Sequence, residues 1–323
     1  MICLLRCDEL RIDRSEMVIQ KTVMSYSVSS IIVNYNAGLL LRRCVDSLLA
    51  CPLEHEIIVV DNSSNDGSLD GLSDLPHVRI IRNSANVGFA AACNIGLQAS
   101  SAKFLLFLNP DSFVQPSTVT RLLDGLQSDD RVGMVGGLLL NPGGSEQRGG
   151  RRAVPTPWRS FVRAFGLHRL ANRWPRLFYD FHLHKQPLPE TDLEVEAISG
   201  ACMMVKREAV DEVGLWDEEY FLHCEDLDFC MRFRAEGWKI LFVPTAVVVH
   251  QLGACSRSRP FFVEWHKHKG MIRFYNKFFR HQYPLGLMGL MGLVSLGVWL
   301  RFGLACVYHA GKRVKGGLEG KHG

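Results

Sequence analysis

The densest chemistry in this chain lies between Gly214 and Asp228. There Gly-Leu-Trp-Asp-Glu-Glu-Tyr-Phe-Leu-His-Cys-Glu-Asp-Leu-Asp sets Asp217, Glu218, Glu219, Glu225 and Asp226 among large apolar side chains. A solvated acidic face would not carry those aromatics. Glu225 and Asp226 open a segment of helical character that runs to Ala235. They therefore fall in a first helical turn, where the macrodipole favours the charged carboxylate. An ionised carboxylate held beside a hydroxyl is what a general base must be. Asp228 stands four residues before Arg232, the spacing of a structural ion pair along one helix face.

Four further groups each close an apolar run. Asn109-Pro110-Asp111 follows Phe104–Leu108, and His250 follows Ile240–Val249. Mg2+ and Mn2+ take oxygen ligands and often only one or two protein carboxylates, with phosphate oxygens and water completing the shell. Asp111 is a suitable ligand, although a Pro-Asp turn uses the same residues. His250 is either a second ligand beside Asp111 or a satisfied core histidine. Asn34-Tyr35-Asn36 follows the β-branched run from Ser30 and offers a ring to stack on a nucleobase and amides to bond its edge. Asp61 ends Glu56–Val60, where it accepts from a pyrimidine N–H or a ribose hydroxyl, or closes an Asx turn. Together these are the parts needed to displace a nucleoside diphosphate: a grip on base and ribose, a divalent cation for the leaving charge, and a base for the acceptor proton.

The elements that must position them alternate in type. Short continuous apolar runs at Ser30–Asn34, Glu56–Val60, Val78–Ile81 and Phe104–Leu108 are separated by helical patterns at Leu39–Leu49 and Phe89–Gln98. Strands without polar alternation are covered on both faces, so the pattern predicts an α/β fold with a parallel sheet and ligands at the carboxyl ends of its strands. Residues 141–195 break the rhythm with Gly, Pro, Arg and Trp. Regular structure resumes with strands over Ala197–Val205 and Ile240–Val249 flanking the Glu225–Ala235 helix.

The 323 residues carry 47% hydrophobic and 22% charged side chains, ordinary for a chain that buries a full core. A net charge of +4 suits an anionic partner such as a diphosphate or an acidic lipid surface, and is too weak to argue for nucleic acid. Ten cysteines stand without a CxxC pair or zinc spacing, and read as reduced thiols of a cytosolic protein. Three regions are expected: an extension over 1–27 with little order, a main domain over 28–280, and an apolar and basic segment over 281–323. Arg6, Asp8 and Glu9 cut off the Met1–Leu5 apolar run, which argues against a secretory leader, and Met24 is an alternative start. Leu285–Leu300 is apolar but short of the ~20 residues a spanning helix needs. Spanning, lying in the interface and packing on the main domain stay open, with membrane contact favoured. The run after Asn36 lacks GxGxxG, and no GxxxxGK[ST] occurs, against dinucleotide and P-loop enzymes.

The ordered series Val33-Asn34-Tyr35-Asn36, Val60-Asp61-Asn62-Ser63-Ser64, Asn86-Val87-Gly88-Phe89-Ala90, Asn109-Pro110-Asp111, Gly200-Ala201-Cys202-Met203-Met204 and Glu225-Asp226-Leu227-Asp228 resembles glycosyltransferase family two. Within it the series is most similar to the bacterial rhamnosyltransferase-like group, over roughly residues 28–275. The resemblance implies a GT-A fold, a mostly parallel sheet with helices on both faces, an inverting single displacement, and Mg2+ or Mn2+. Tyr35, Asn36 and Asp61 would then hold the base, with Asn86 and Asn109 near the donor. Asp111 and His250 would bind the metal, Asn109 standing where the family's metal motif has its first aspartate. Asp226 matches the catalytic base, with Glu225 beside it. The implied donor is dTDP-L-rhamnose, with UDP-galactofuranose and UDP-glucose as alternatives, and the acceptor a lipid-linked or cell-surface glycan at the cytoplasmic face of the membrane. A processive synthase would show Gln-x-x-Arg-Trp, which is absent. A non-catalytic scaffold of the same fold would have lost Asp111 or Asp226, and both are present.

Overall fold

Val28–Asn34 (β1) is buried along its whole length, and its alternate residues enter two different cores. Ile31 and Val33 join Ile58, Val60, Leu105 and Phe107 on one face of a sheet; Val28 and Ile32 join Ile57, Val59, Leu106 and Leu108 on the other. That two-sided burial is why these strands show no polar alternation. The computed structural model describes residues 27–164, 166–178, 181–251, 253, 259–282 and 288–319. The readings made for 1–26 and for 285–287 lie outside them.

After β1 come Leu39–Leu49 (α1), Glu56–Asp61 (β2), Val78–Arg82 (β3), Phe89–Ala99 (α2), Phe104–Leu108 (β4), Ser112–Val114 (β5), Thr118–Gln127 (α3) and Val132–Leu140 (β6). The excursion then supplies only short pieces: Arg151–Arg152 (β7), Pro157–Ala164 (α4) and Leu193–Glu194 (β8). Ala197–Ile198 (β9), Cys202–Lys206 (β10), Arg207–Val213 (α5), Glu225–Ala235 (α6), Lys239–His250 (β11), Pro260–Phe279 (α7) and Met288–Glu319 (α8) complete the chain. The main sheet runs β3-β2-β1-β4-β10-β6-β11-β5, with β8 added against β11. β1, β2, β3 and β4 pair in parallel, as do β6 and β11, while β10 enters antiparallel between β4 and β6. Buried residues of α1 and α3 cover one face; those of α2, α6 and α7 cover the other.

One expected strand is two. Ala197–Val205 breaks at Ser199-Gly200-Ala201, β9 pairing with β7 in a separate two-stranded sheet and β10 joining the main one. The break falls at Gly200. Ser199 N–H still donates to the Gly150 carbonyl (3.0 Å) in the β7–β9 register, and Ala201 C=O still accepts from Asn109 N–H (3.1 Å) in the β4–β10 register. Gly200 N–H between them turns to Asp226 (3.3 Å). At the carboxyl end α8 packs on α7, Trp299 and Phe302 meeting Trp265 at 5.3 and 5.8 Å between ring centroids. Among the described residues no helix is long and apolar enough to cross a membrane.

Candidate active site

Parallel pairing of β1, β2 and β4 brings their carboxyl ends to one edge, with Asn34 opposite Asp61 and Ile32 opposite Leu108. The residues just past those ends, with His250 at the end of β11, surround a cavity of about 240 Å³. Tyr35, Asn86, Asn109, Asp111 and His250 all line it. Asp61 and Asn36 do not, and their side-chain oxygens bond the frame instead. Asp61 is buried and accepts from Asn34 Nδ2 (2.8 Å) and Ser64 N–H (3.1 Å), while Asn36 Oδ1 accepts from Asn65 N–H (2.9 Å). These bonds fasten the loop after β1 to the loop after β2 and so hold Tyr35 at the cavity wall. Asn86 Oδ1 accepts from Gly88 N–H (3.0 Å), which sets Gly88 at φ +91°. A Cβ there would stand 2.8 Å from the Phe221 carbonyl, so only glycine lets this turn close on the opposite wall.

The metal-ligand pair predicted from sequence is assembled. His250 Nε2 lies 3.1 Å from Asp111 Oδ1, both side chains nearly fully buried. His250 Nδ1 lies 2.6 Å from Gln147 Oε1, whose amide nitrogen donates to the His250 carbonyl (3.2 Å) and to Asn141 Oδ1 (3.2 Å). That orientation of the amide makes Oε1 an acceptor, so Nδ1 carries a proton and Nε2 is the ring nitrogen turned toward Asp111. A carboxylate oxygen and an imidazole nitrogen brought together are a donor set that a divalent cation can use, and a hydrogen bond fixing the histidine from behind is the usual support of such sites. Among the described residues no cluster of three His, Cys, Asp or Glu is positioned for a metal. A hard divalent ion held by Asp111 and His250 would draw its remaining ligands from diphosphate oxygens and water.

Asp226 and Glu225, adjacent in sequence, occupy different environments. Asp226 is ion-paired to Arg152 and receives Gly200 N–H. Because Ala201 of the same turn bonds Asn109, the Gly200–Ala201 turn ties Asp226 to the loop that carries Asp111. Glu225 is buried, and its Oε2 finds no partner among the described residues. Burial, then the charge of Asp226, pushes its carboxyl up to about 8, so it keeps its proton near neutral pH. His223 and Cys224, both left-handed at φ 68° and 72°, turn the chain sharply into α6. Sustained strain in two such residues is typical of functional sites.

Several lining residues had no role assigned from sequence. His223 lines the cavity, its pKa lowered to about 4 by burial and then by Lys267, so it is neutral at physiological pH. Arg259 lines the same cavity, its guanidinium 5.6 Å from the centre of the Tyr35 ring, within cation–π range. Phe221 and Phe262 complete the wall at 5.5 Å from each other. His223 and Phe221 sit in the aromatic-acidic stretch already singled out. Arg259 and Phe262 follow no motif and reach the site only through the packing of α7.

The model of the glycosyl transferase family 2 domain matches residues 29–214, more than half of the chain. The chain belongs to glycosyl transferase family 2. Its family 2 relatives include the N-acetylglucosaminyl-diphospho-decaprenol L-rhamnosyltransferase of Mycobacterium tuberculosis, 32% identical over 232 residues, 68% of this chain and 74% of that one. The dTDP-rhamnosyl transferase RfbF of Shigella flexneri is 25% identical over 235 residues, 71% of each chain. Among solved structures, the mannosyltransferase PcManGT of Pyrobaculum calidifontis, in complex with GDP-Man and Mn2+, covers 90% of this chain and 76% of its own at a TM-score of 0.54 and 15% identity. GalNAc-T7, with UDP, GalNAc and Mn2+, covers 71% of this chain and 44% of its own at a TM-score of 0.53 and 20% identity. The family 2 chain thus has the GT-A fold expected from its sequence, and it is a glycosyltransferase of the rhamnosyltransferase-like group.

Proposed function

We propose that this glycosyltransferase moves L-rhamnose from dTDP-L-rhamnose to a hydroxyl of a lipid-linked glycan, with inversion and with Mg2+ or Mn2+, at the cytoplasmic face of the membrane. The observation that carries the reading is the Asp111–His250 pair in the wall of the cavity that Tyr35 also lines, with Asp226 outside that lining and joined to Asn109, two residues before Asp111, through the Gly200–Ala201 turn. The names of the mycobacterial and Shigella relatives support rhamnose as the sugar, and the mycobacterial one supports a polyprenyl-diphosphate acceptor bearing N-acetylglucosamine.

In this reading Tyr35 stacks on the thymine ring, and Arg259, over that ring, faces the phosphates. Asp111 and His250 would hold the metal, which would supply positive charge to the departing diphosphate. Asp226 takes the proton of the acceptor hydroxyl as its oxygen forms the bond to the anomeric carbon and the bond to the diphosphate oxygen breaks. Inversion follows from that single displacement. Arg152, ion-paired to Asp226, must yield part of its contact as the hydroxyl arrives. Glu225, protonated beneath it, adds no second negative charge.

The test is binding and turnover with purified protein across dTDP-, UDP- and GDP-sugars, with Mg2+ or Mn2+ present or chelated. Selection of dTDP-rhamnose is expected, lost in binding by Asp111→Ala and in turnover alone by Asp226→Asn. Failure to bind any nucleotide sugar with metal present would overturn the reading.

A further inference from the structure

From Ala153 to Tyr179 the chain has five arginines and no acidic residue, and from Met288 to Leu318 it again has none. These two stretches, far apart in sequence, meet in the fold. Ser160 on α4 shares a 2.6 Å hydrogen bond with the Tyr275 hydroxyl on α7, and α4 also lies against α8. The surface they form is apolar to an unusual degree. Trp158, Leu170, Trp174 and Leu177 are exposed on the first stretch, Trp174 at 49%. On α8, Leu296, Leu300, Leu304, Val307 and Tyr308 are exposed at spacings of 4, 4, 3 and 1, one helical face turned away from α7, with Leu304 at 72%. The first stretch is held as a unit: Trp158 Nε1 donates to the Leu177 carbonyl at 2.7 Å, and Trp158 stacks on Phe161 at 5.6 Å. Exposed Arg169, Arg173 and Arg176 edge it, and among the described residues none of the three has a carboxylate in ion-pair range.

We propose that the stretch from α4 to Leu177 and the outward face of α8 form one docking surface for a bilayer rich in anionic phospholipid. Two features decide between occupants. A second copy meeting this face across a two-fold axis would set Arg169, Arg173 and Arg176 against their own counterparts with no acid to answer them, which disfavours self-association. A bilayer interface instead takes all the parts: leucines enter the acyl boundary, tryptophans sit at headgroup depth, and guanidiniums meet phosphate. The chain leads from the site into the patch, since Arg152, ion-paired to Asp226, lies five residues before the start of α4. Resting on the reading of a lipid-linked acceptor, the surface would hold the base over the bilayer from which that acceptor is drawn.

The experiment is co-sedimentation of the full chain, without donor or acceptor, with phosphatidylglycerol vesicles and with phosphatidylcholine vesicles. Tight binding to the first and weak binding to the second are expected. The triple variant Arg169→Gln/Arg173→Gln/Arg176→Gln should bind phosphatidylglycerol on the order of 100-fold more weakly, from the attraction of three cations to an anionic surface. Leu300→Asp/Leu304→Asp should also release the protein. Unchanged thermal melts and donor binding show that the variants are folded. No binding by the wild-type chain, equal binding by the triple variant, or a solution dimer dispersed by Trp174→Ala would overturn the proposal. Nucleotide-sugar binding in lipid-free buffer is scored separately, so a failure here is distinct from a failure of the transferase reading.

Discussion

Replacing Glu225 by Gln separates the two adjacent carboxylates of the site. The wild-type group is buried with an unpartnered oxygen, and its raised pKa means the folded protein binds this proton more tightly than the unfolded chain does. The sign follows. Its contribution to stability is complete below about pH 4, where the unfolded carboxyl is also protonated, and is lost as the pH rises toward the folded value. Each pH unit inside that window withdraws ~1.4 kcal/mol, so the interval from about pH 5 to about pH 7 withdraws ~3 kcal/mol. Glutamine has the same shape and no proton to lose. The stability of Glu225→Gln relative to wild type should therefore rise by roughly that ~3 kcal/mol across the interval, read by urea unfolding at several pH values. Turnover of the same variant should stay within a few-fold of wild type, whereas Asp226→Asn loses on the order of 100-fold to 10,000-fold, the range for a general base. Parallel stability profiles for the two proteins, or loss of turnover in a folded Glu225→Gln, would refute the assignment of a neutral Glu225.

Gln147→Leu removes the acceptor that fixes His250 without touching the cavity lining, and, on the proposed function, should weaken metal-dependent donor binding 10- to 100-fold, measured by Mn2+ titration at fixed nucleotide sugar. Asp228 is fully buried and accepts from Arg232 Nε (2.7 Å) and Lys277 Nζ (2.6 Å). Asp228→Ala should cost about 3 kcal/mol, the low end for breaking a buried pair because Lys277 keeps Asp217; a urea midpoint shift under a third of that would contradict it.

Much of this protein was legible before folding. The apolar strands, the helices between them and the residues ending each strand follow from local pattern, because burial on two faces and the short reach of strand-end loops leave their mark in consecutive residues. Tyr35, Asp111 and His250 were readable for that reason, Asn86 and Asn109 through the family resemblance, and all five line one cavity. Sequence also kept two roles open for Asp61, donor contact or turn, and its hydrogen bonds lie with Asn34 and Ser64. Local pattern could not separate β9 from β10, since the Gly200 turn exists for partners at Asn109 and Asp226.

What only the tertiary structure decided concerns environment and long-range partners. That Glu225 is neutral while its neighbour is paired depends on burial and on Arg152, 74 positions away. That Gln147 orients His250, 103 positions on, and that Arg259 closes over Tyr35, depends on strand order and on the packing of α7. The residue types that can hold a sugar nucleotide are therefore set along the chain, by side-chain chemistry at strand ends. Protonation and orientation are set across it, because both arise from desolvation and from contacts that no local spacing encodes.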